Sequence, residues 1–297
     1  MRVTDLYGIA GPVPFLDVHV DRDNLLFLDP SAIRNATDPL GRRAHDQLRS
    51  FVDEVLRCRV SPHQADRDKG LALMQQLHEP NQTRLGMSEQ RVAGHGFGDE
   101  LGGRLWDELR DNRARQAAAL TRLEDLRLFV DGVGNDLVSD LTTRVVFDVL
   151  ADFSQQMMIR YPSLTRGQRI GVFQVWDPST TTWAYTAVTL PYVTPHQLLL
   201  VPKGWVFWRT LMDPYAFYNR YGTETVQRER TKYSSRGRKL APSKAALKGE
   251  FPHVRGLNIQ QAVKCKQHDE DLVAAYRQWV DAEYEPLTDH QLDRFTT

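Results

Sequence analysis

Residues 128–158, LFVDGVGNDLVSDLTTRVVFDVLADFSQQMM, govern how the fold is read. The turn-forming pairs Asp131-Gly132 and Gly134-Asn135 lead into a segment where Leu137, Leu141, Val145, Val149, Phe153 and Met157 recur every fourth residue. That spacing draws one apolar stripe along a helix, and Val146 and Leu150 widen it. The segment therefore predicts a long, buried central helix. Asp136 and Asp140, four apart near its start, share a face, with Thr143 and Arg144 one turn further on. This polar side is expected to look toward solvent or a cleft.

Beyond the helix the period shortens. Residues 171–176 and 183–190 are rich in strand formers and are joined by Asp177-Pro178 and a threonine run, which predicts a hairpin. Residues 198–201, LLLV, predict a short buried strand. Toward the N-terminus, Asp38 followed by Pro39 is a helix start, because the carboxylate accepts orphan N–H groups and proline suits the first turn. Leu40, Ala44, Leu48, Phe51, Val52, Val55 and Leu56 then carry that helix to about residue 60, and a second helix is predicted over 65–77. Residues 15–29 read as a hairpin with an acidic tip. The expected class is α/β or α+β, a mixed sheet around the long buried central helix. A main domain over residues 1–222 would be followed by a mostly helical C-terminal appendage over 223–297.

A chain of 297 residues can bury one sizeable core, and 41% hydrophobic content supplies it. No apolar run approaches the roughly 18 residues that a membrane span requires. Asp5, Pro12 and Pro14 interrupt the opening segment, so a cytoplasmic protein without a membrane partner is expected. Cys58 and Cys265 stand alone, outside any disulfide framework or zinc cluster.

The net charge of +0 conceals an uneven distribution. Residues 1–225 hold 25 Lys and Arg against 28 Asp and Glu. Residues 226–248 hold eight cations, Arg228, Arg230, Lys232, Arg236, Arg238, Lys239, Lys244 and Lys248, against the single acid Glu229. Such a segment is suited to the phosphate backbone of DNA or RNA. In the alternative reading the segment binds an acidic protein partner; a protein partner or a homo-oligomer is the second expectation for what this chain associates with.

Chemistry is expected first at Asp136 and Asp140. Two carboxylates on one helix face repel each other, and a hard divalent ion such as Mg2+ or Mn2+ relieves that repulsion. Lys203, emerging after the LLLV run, would stabilise phosphate charge, and Asp17 is a third candidate ligand. Together these residues outline a divalent-metal-dependent nuclease, although Val201 stands where such sites usually carry an acid two residues before the lysine. Acids near a helix start also have a purely structural reason, the positive end of the helix dipole. Asp17, His19 and Asp21 alternate like the solvent face of a strand.

Gly94, Gly96 and Gly98 alternate around His95 and Phe97, but neither a GxxxxGK[ST] nor a GxGxxG loop is complete. No motif indicates an organic cofactor. The leading expectation is a nucleic-acid-associated protein with phosphodiesterase potential. A noncatalytic scaffold or subunit of a multiprotein complex, and a nucleotide-processing enzyme built on the glycine loop, are the alternatives.

Overall fold

A computed structural model describes residues 1–77, 82–86, 96–111, 113–116 and 119–296. Helix and strand are mixed in an α+β arrangement, and the sheets among the described residues are two-stranded antiparallel pairs. The chain divides into two compact units. The larger comprises Met1–Asp107, Gly134–Leu211 and Tyr284–Thr297; the smaller comprises Glu108–Val133 and Met212–Glu283.

In the larger unit the helix Pro39–Val60 begins as expected. The Asp38 side chain accepts from the backbone N–H groups of Leu40 and Gly41, and Pro39 occupies the first turn. Its buried face carries Ala44, Leu48, Phe51, Val52 and Val55. The 169–190 segment forms the predicted hairpin, with Arg169–Asp177 paired to Thr182–Leu190 in unbroken register. Trp176 and Trp183 are cross-strand partners, and Phe51 meets both rings, at 5.1 and 5.7 Å between centroids. Phe147 packs on Phe173 at 4.8 Å, so the hairpin lies against the helices that carry these aromatics. Ile170, Val172 and Tyr185 remain exposed on the hairpin.

The central helix is two consecutive helices, Asn135–Val145 and Phe147–Arg160, separated at Val146. The expected stripe is buried from Leu141 through Met157, whereas Leu137 is only partly covered. The polar side differs from expectation. Thr143 and Arg144 are buried, not turned toward solvent. The Thr143 hydroxyl donates to the Ser139 carbonyl at 2.9 Å, so the helix satisfies it internally. The Arg144 guanidinium lies 4.6 Å over the Trp183 ring and donates to the Gln76 carbonyl and to Gln174. A flat cation can exchange water for an aromatic face and carbonyl oxygens in this way. Burial lowers the Arg144 pKa to about 10.

Two expected β elements, the 15–29 hairpin and the 198–201 strand, are also replaced by longer-range arrangements. Residues 15–29 do not pair with each other: Phe15 bridges to Pro202, and Phe27–Leu28 pairs with Val206–Phe207. The Asn24 side chain closes the intervening loop by accepting from His19 N–H and donating to the carbonyls of His19 and Arg84. Leu198, Leu199, Leu200 and Val201 are buried as predicted, but their polar atoms go to separate partners. Leu198 donates to the Pro191 carbonyl, Leu199 to that of Gln82 and Leu200 to the Ser154 hydroxyl. Buried amides need acceptors, and here a strand ladder is not what provides them. The 284–297 segment completes this unit: Tyr284 donates to the Gly204 carbonyl at 2.9 Å, and Phe295 stacks on Trp208.

The smaller unit is helical around an aromatic core. Phe217 meets Phe129 edge-on at 6.2 Å, stacks on Tyr221 at 5.5 Å and contacts Tyr276 at 5.4 Å. The units do not follow a linear division after residue 222. Pro214–Phe217, a π-helical turn over Tyr218–Gly222 and Thr223–Glu229 form one continuous helical run across that point. The apolar residues Leu126, Leu128 and Phe129, remote in sequence, complete the same core.

Candidate functional site

The basic segment is ordered as the end of the Thr223–Glu229 helix, a small hairpin and the helix Lys244–Glu250. The hairpin pairs Lys232 with Leu240 and Tyr233 with Lys239. Its turn is closed by Ser234 donating to the Arg238 carbonyl and Gly237 donating to that of Ser234, both at 2.9 Å. Gly237 adopts φ +74, a conformation that a side chain would resist.

The structure separates the eight expected cations into two groups. Arg230 grips Glu250 with two hydrogen bonds of 2.6 and 2.7 Å, Arg228 pairs with Glu270 at 2.6 Å, and Lys244 lies 3.7 Å from Glu224. Hydrogen bonding from these arginines holds the Glu250 and Glu270 carboxyls below the usual range, so both pairs are ionised at neutral pH. Lys232, Arg236, Arg238, Lys239 and Lys248 are exposed and make no ion pair among the described residues. Four of these five sit on or within the small hairpin.

A cavity of about 570 Å³ opens beside that hairpin, wholly within the smaller unit. Tyr233, Lys239 and Thr231 line it from the hairpin side; Tyr221, Thr225 and Arg228 line it from the preceding helical run. Leu272 and Ala275 add an apolar wall. Tyr221 is fixed by donating to the Ala275 carbonyl at 3.1 Å, and Arg220 lies 4.3 Å over the Trp279 ring. Tyr233 is 70% exposed, which puts its ring at the cavity mouth beside its cross-strand partner Lys239.

The residues of the expected metal site are carried by separate segments, Asp136 and Asp140 by the helix Asn135–Val145 and Lys203 by the turn Lys203–Trp205. Asp136 and Asp140 lie on the first helix after Gly134, and neither is a free carboxylate. Asp136 crowds Gly86, where an added Cβ would fall 2.7 Å from its Oδ1. Asp17 accepts from the Thr4 backbone at 2.9 Å and from its hydroxyl at 2.6 Å. Lys203 is ion-paired with Asp289 at 2.6 Å. No cluster of three or more His, Cys, Asp or Glu side chains suited to a metal ion occurs among the described residues. Gly94 and His95 lie outside the described residues, while Gly96 and Gly98 fall in the first turns of the helix Gly96–Asp111. Among the described residues no helix is long and apolar enough to cross a membrane.

Residues 11–213 match the family described as Domain of unknown function (DUF8370). The chain belongs to that family. No curated protein and no solved structure matches it. Asp17, Asp136, Asp140 and Lys203 fall inside the DUF8370 match, whereas the basic hairpin and its cavity lie beyond residue 213. The site is thus an attachment to the DUF8370 region in sequence.

Sequence reasoning missed most of the cavity lining, Arg220 and Tyr233 included. Arg220 precedes the charge-rich window, and Tyr233 is a single aromatic among cations. The alternation Lys232-Tyr233 across a turn from Arg238-Lys239 was the available signal, since a short hairpin presents such residues together.

Proposed function

We propose that this chain binds nucleic acid through the basic hairpin of its smaller unit. The observation that carries the reading is the set of five exposed cations, Lys232, Arg236, Arg238, Lys239 and Lys248, that make no ion pair among the described residues. An unpaired surface cation releases counterions from a phosphate backbone at little internal cost, whereas Arg230 would first have to leave Glu250. Tyr233 within the same hairpin adds an aromatic face, the combination used to follow an extended strand.

The proposal is for binding. Asp17 and Lys203, expected to help assemble a hydrolytic centre, are each held by a neighbour, and their engagement supports attachment more than cleavage.

Fluorescence anisotropy with labelled 20-residue oligonucleotides at graded salt tests the reading. Affinity should fall linearly on a log–log plot against salt. Replacing the five free cations by glutamine should lower affinity more than tenfold and flatten the slope by roughly 3 to 4 units. Equal affinity and slope in the parent and the variant would overturn the proposal.

A further inference from the structure

We infer that the cavity beside the hairpin is a pocket for one unpaired base, so that the site selects single-stranded over duplex nucleic acid. This inference rests on the proposed nucleic-acid binding and gives that site its substrate form.

Size is the first argument. About 570 Å³ lies within the roughly 300–1,000 Å³ of small-molecule pockets and accommodates a single nucleotide, not a paired stack. The lining chemistry suits the same ligand. Exposed Lys239 lines the cavity on the basic hairpin, where a phosphate chain would pass. Tyr233 stands beside Lys239 with its ring exposed, in position to stack on a base turned inward. Leu272 and Ala275 offer an apolar wall to the base plane; Thr225 lines the same cavity, and the Thr231 hydroxyl, which donates to the Gln227 carbonyl at 2.7 Å, can accept from a base edge.

Glu224 and Glu270 also line the cavity, paired with Lys244 and Arg228, and a carboxylate oxygen there can accept from the exocyclic amino group of a base. In a duplex the base edges and faces are already occupied by pairing and stacking, so filling the pocket would require unpairing.

The experiment compares binding of single-stranded DNA, single-stranded RNA and duplex DNA of equal length to the full chain and to Tyr233→Ala, Tyr233→Phe and the five-cation glutamine variant. The expected result is tighter binding of a single strand by the parent. Tyr233→Ala should weaken single-strand binding on the order of tenfold and leave duplex binding within about twofold, while Tyr233→Phe should retain the preference. The DNA and RNA arms identify which sugar the strand carries. Equal binding of both forms by the parent, or an equal loss on both forms in Tyr233→Ala, overturns the pocket while leaving backbone binding intact. Failure of the parent to bind any of the three overturns the nucleic-acid reading itself. Because Tyr233 is largely exposed, circular dichroism of Tyr233→Ala should match the parent, so a loss can be assigned to the site.

Discussion

The Arg277 guanidinium donates from Nε to Asp125 at 3.1 Å and from a terminal nitrogen to the other oxygen of the same wholly buried carboxylate. The backbone N–H groups of Thr121 and Arg122 complete the shell, each at 2.8 Å. Charge and hydrogen bonding are therefore matched on both sides of a pair removed from water. Arg277→Met leaves the carboxylate buried without its cation and should cost about 3–5 kcal/mol. Urea unfolding followed by tryptophan fluorescence measures it; a midpoint equal to the parent's would show that the pair contributes no net stability.

Glu54 provides a pH-dependent contribution in the larger unit. Arg57 donates to it at 2.8 and 2.9 Å and Lys69 at 2.6 Å, and these bonds, led by Arg57, outweigh burial and lower its pKa from 4.5 to about 2. A carboxyl with a depressed folded pKa stabilises fully above its unfolded value and loses that contribution as pH falls through the folded value. The parent should therefore lose thermal stability between pH 4.5 and about 2 more steeply than Glu54→Gln. Melting curves across this window should converge toward the acid end; parallel curves would remove Glu54 from the account.

Adjacent glycines on the helix Gly96–Asp111 should respond oppositely to alanine. A Cβ at Gly102 would collide with the backbone carbonyl of Met74, which cannot rotate away, whereas a Cβ at Gly103 meets nothing within 4 Å. Gly102→Ala should destabilise by about 1–3 kcal/mol through forced separation. Gly103→Ala should stabilise by up to about 1 kcal/mol, because alanine loses less backbone freedom in a helix. Paired denaturation curves decide the matter, and a shared sign for the two variants would contradict the packing described.

Ser154 connects two buried segments. Its hydroxyl donates to the Leu150 carbonyl at 2.8 Å and accepts from Leu200 N–H at 2.8 Å. Ser154→Ala keeps the volume but leaves the Leu200 amide without its acceptor, a loss of about 1–3 kcal/mol. Hydrogen exchange at Leu200 should accelerate beyond the change at amides within the Phe147–Arg160 helix. Uniform acceleration would indicate only global destabilisation.

What the sequence disclosed follows the range of each interaction. The Pro39–Val60 helix and the 169–190 hairpin were legible because Asp38-Pro39 and Asp177-Pro178 act on residues a few positions away. The pairing of Phe27 with Phe207 was not, since no local pattern carries a register across such a separation. Arg144 was misplaced for a different reason: a cation reads as solvent-facing until Trp183 is seen beneath it. At the candidate site the eight cations were visible as charge. Which of them remain available depends on Glu250 and Glu270, brought to Arg230 and Arg228 across 20 and 42 residues.

The interleaving of the two units bears on how the protein is made. While the chain emerges from the ribosome, residues 108–133 are released long before Met212–Glu283, the partner segment of the smaller unit. The larger unit must wait longer still, until Tyr284 reaches Gly204 and Phe295 reaches Trp208. Neither unit can finish folding during early synthesis, so the nascent chain carries Phe129, buried in the folded protein, uncovered until Phe217 and the rest of Met212–Glu283 have been made. Premature termination within the basic hairpin would consequently leave both units incomplete, and such fragments should be substrates for chaperones or proteolysis and not stable shorter proteins.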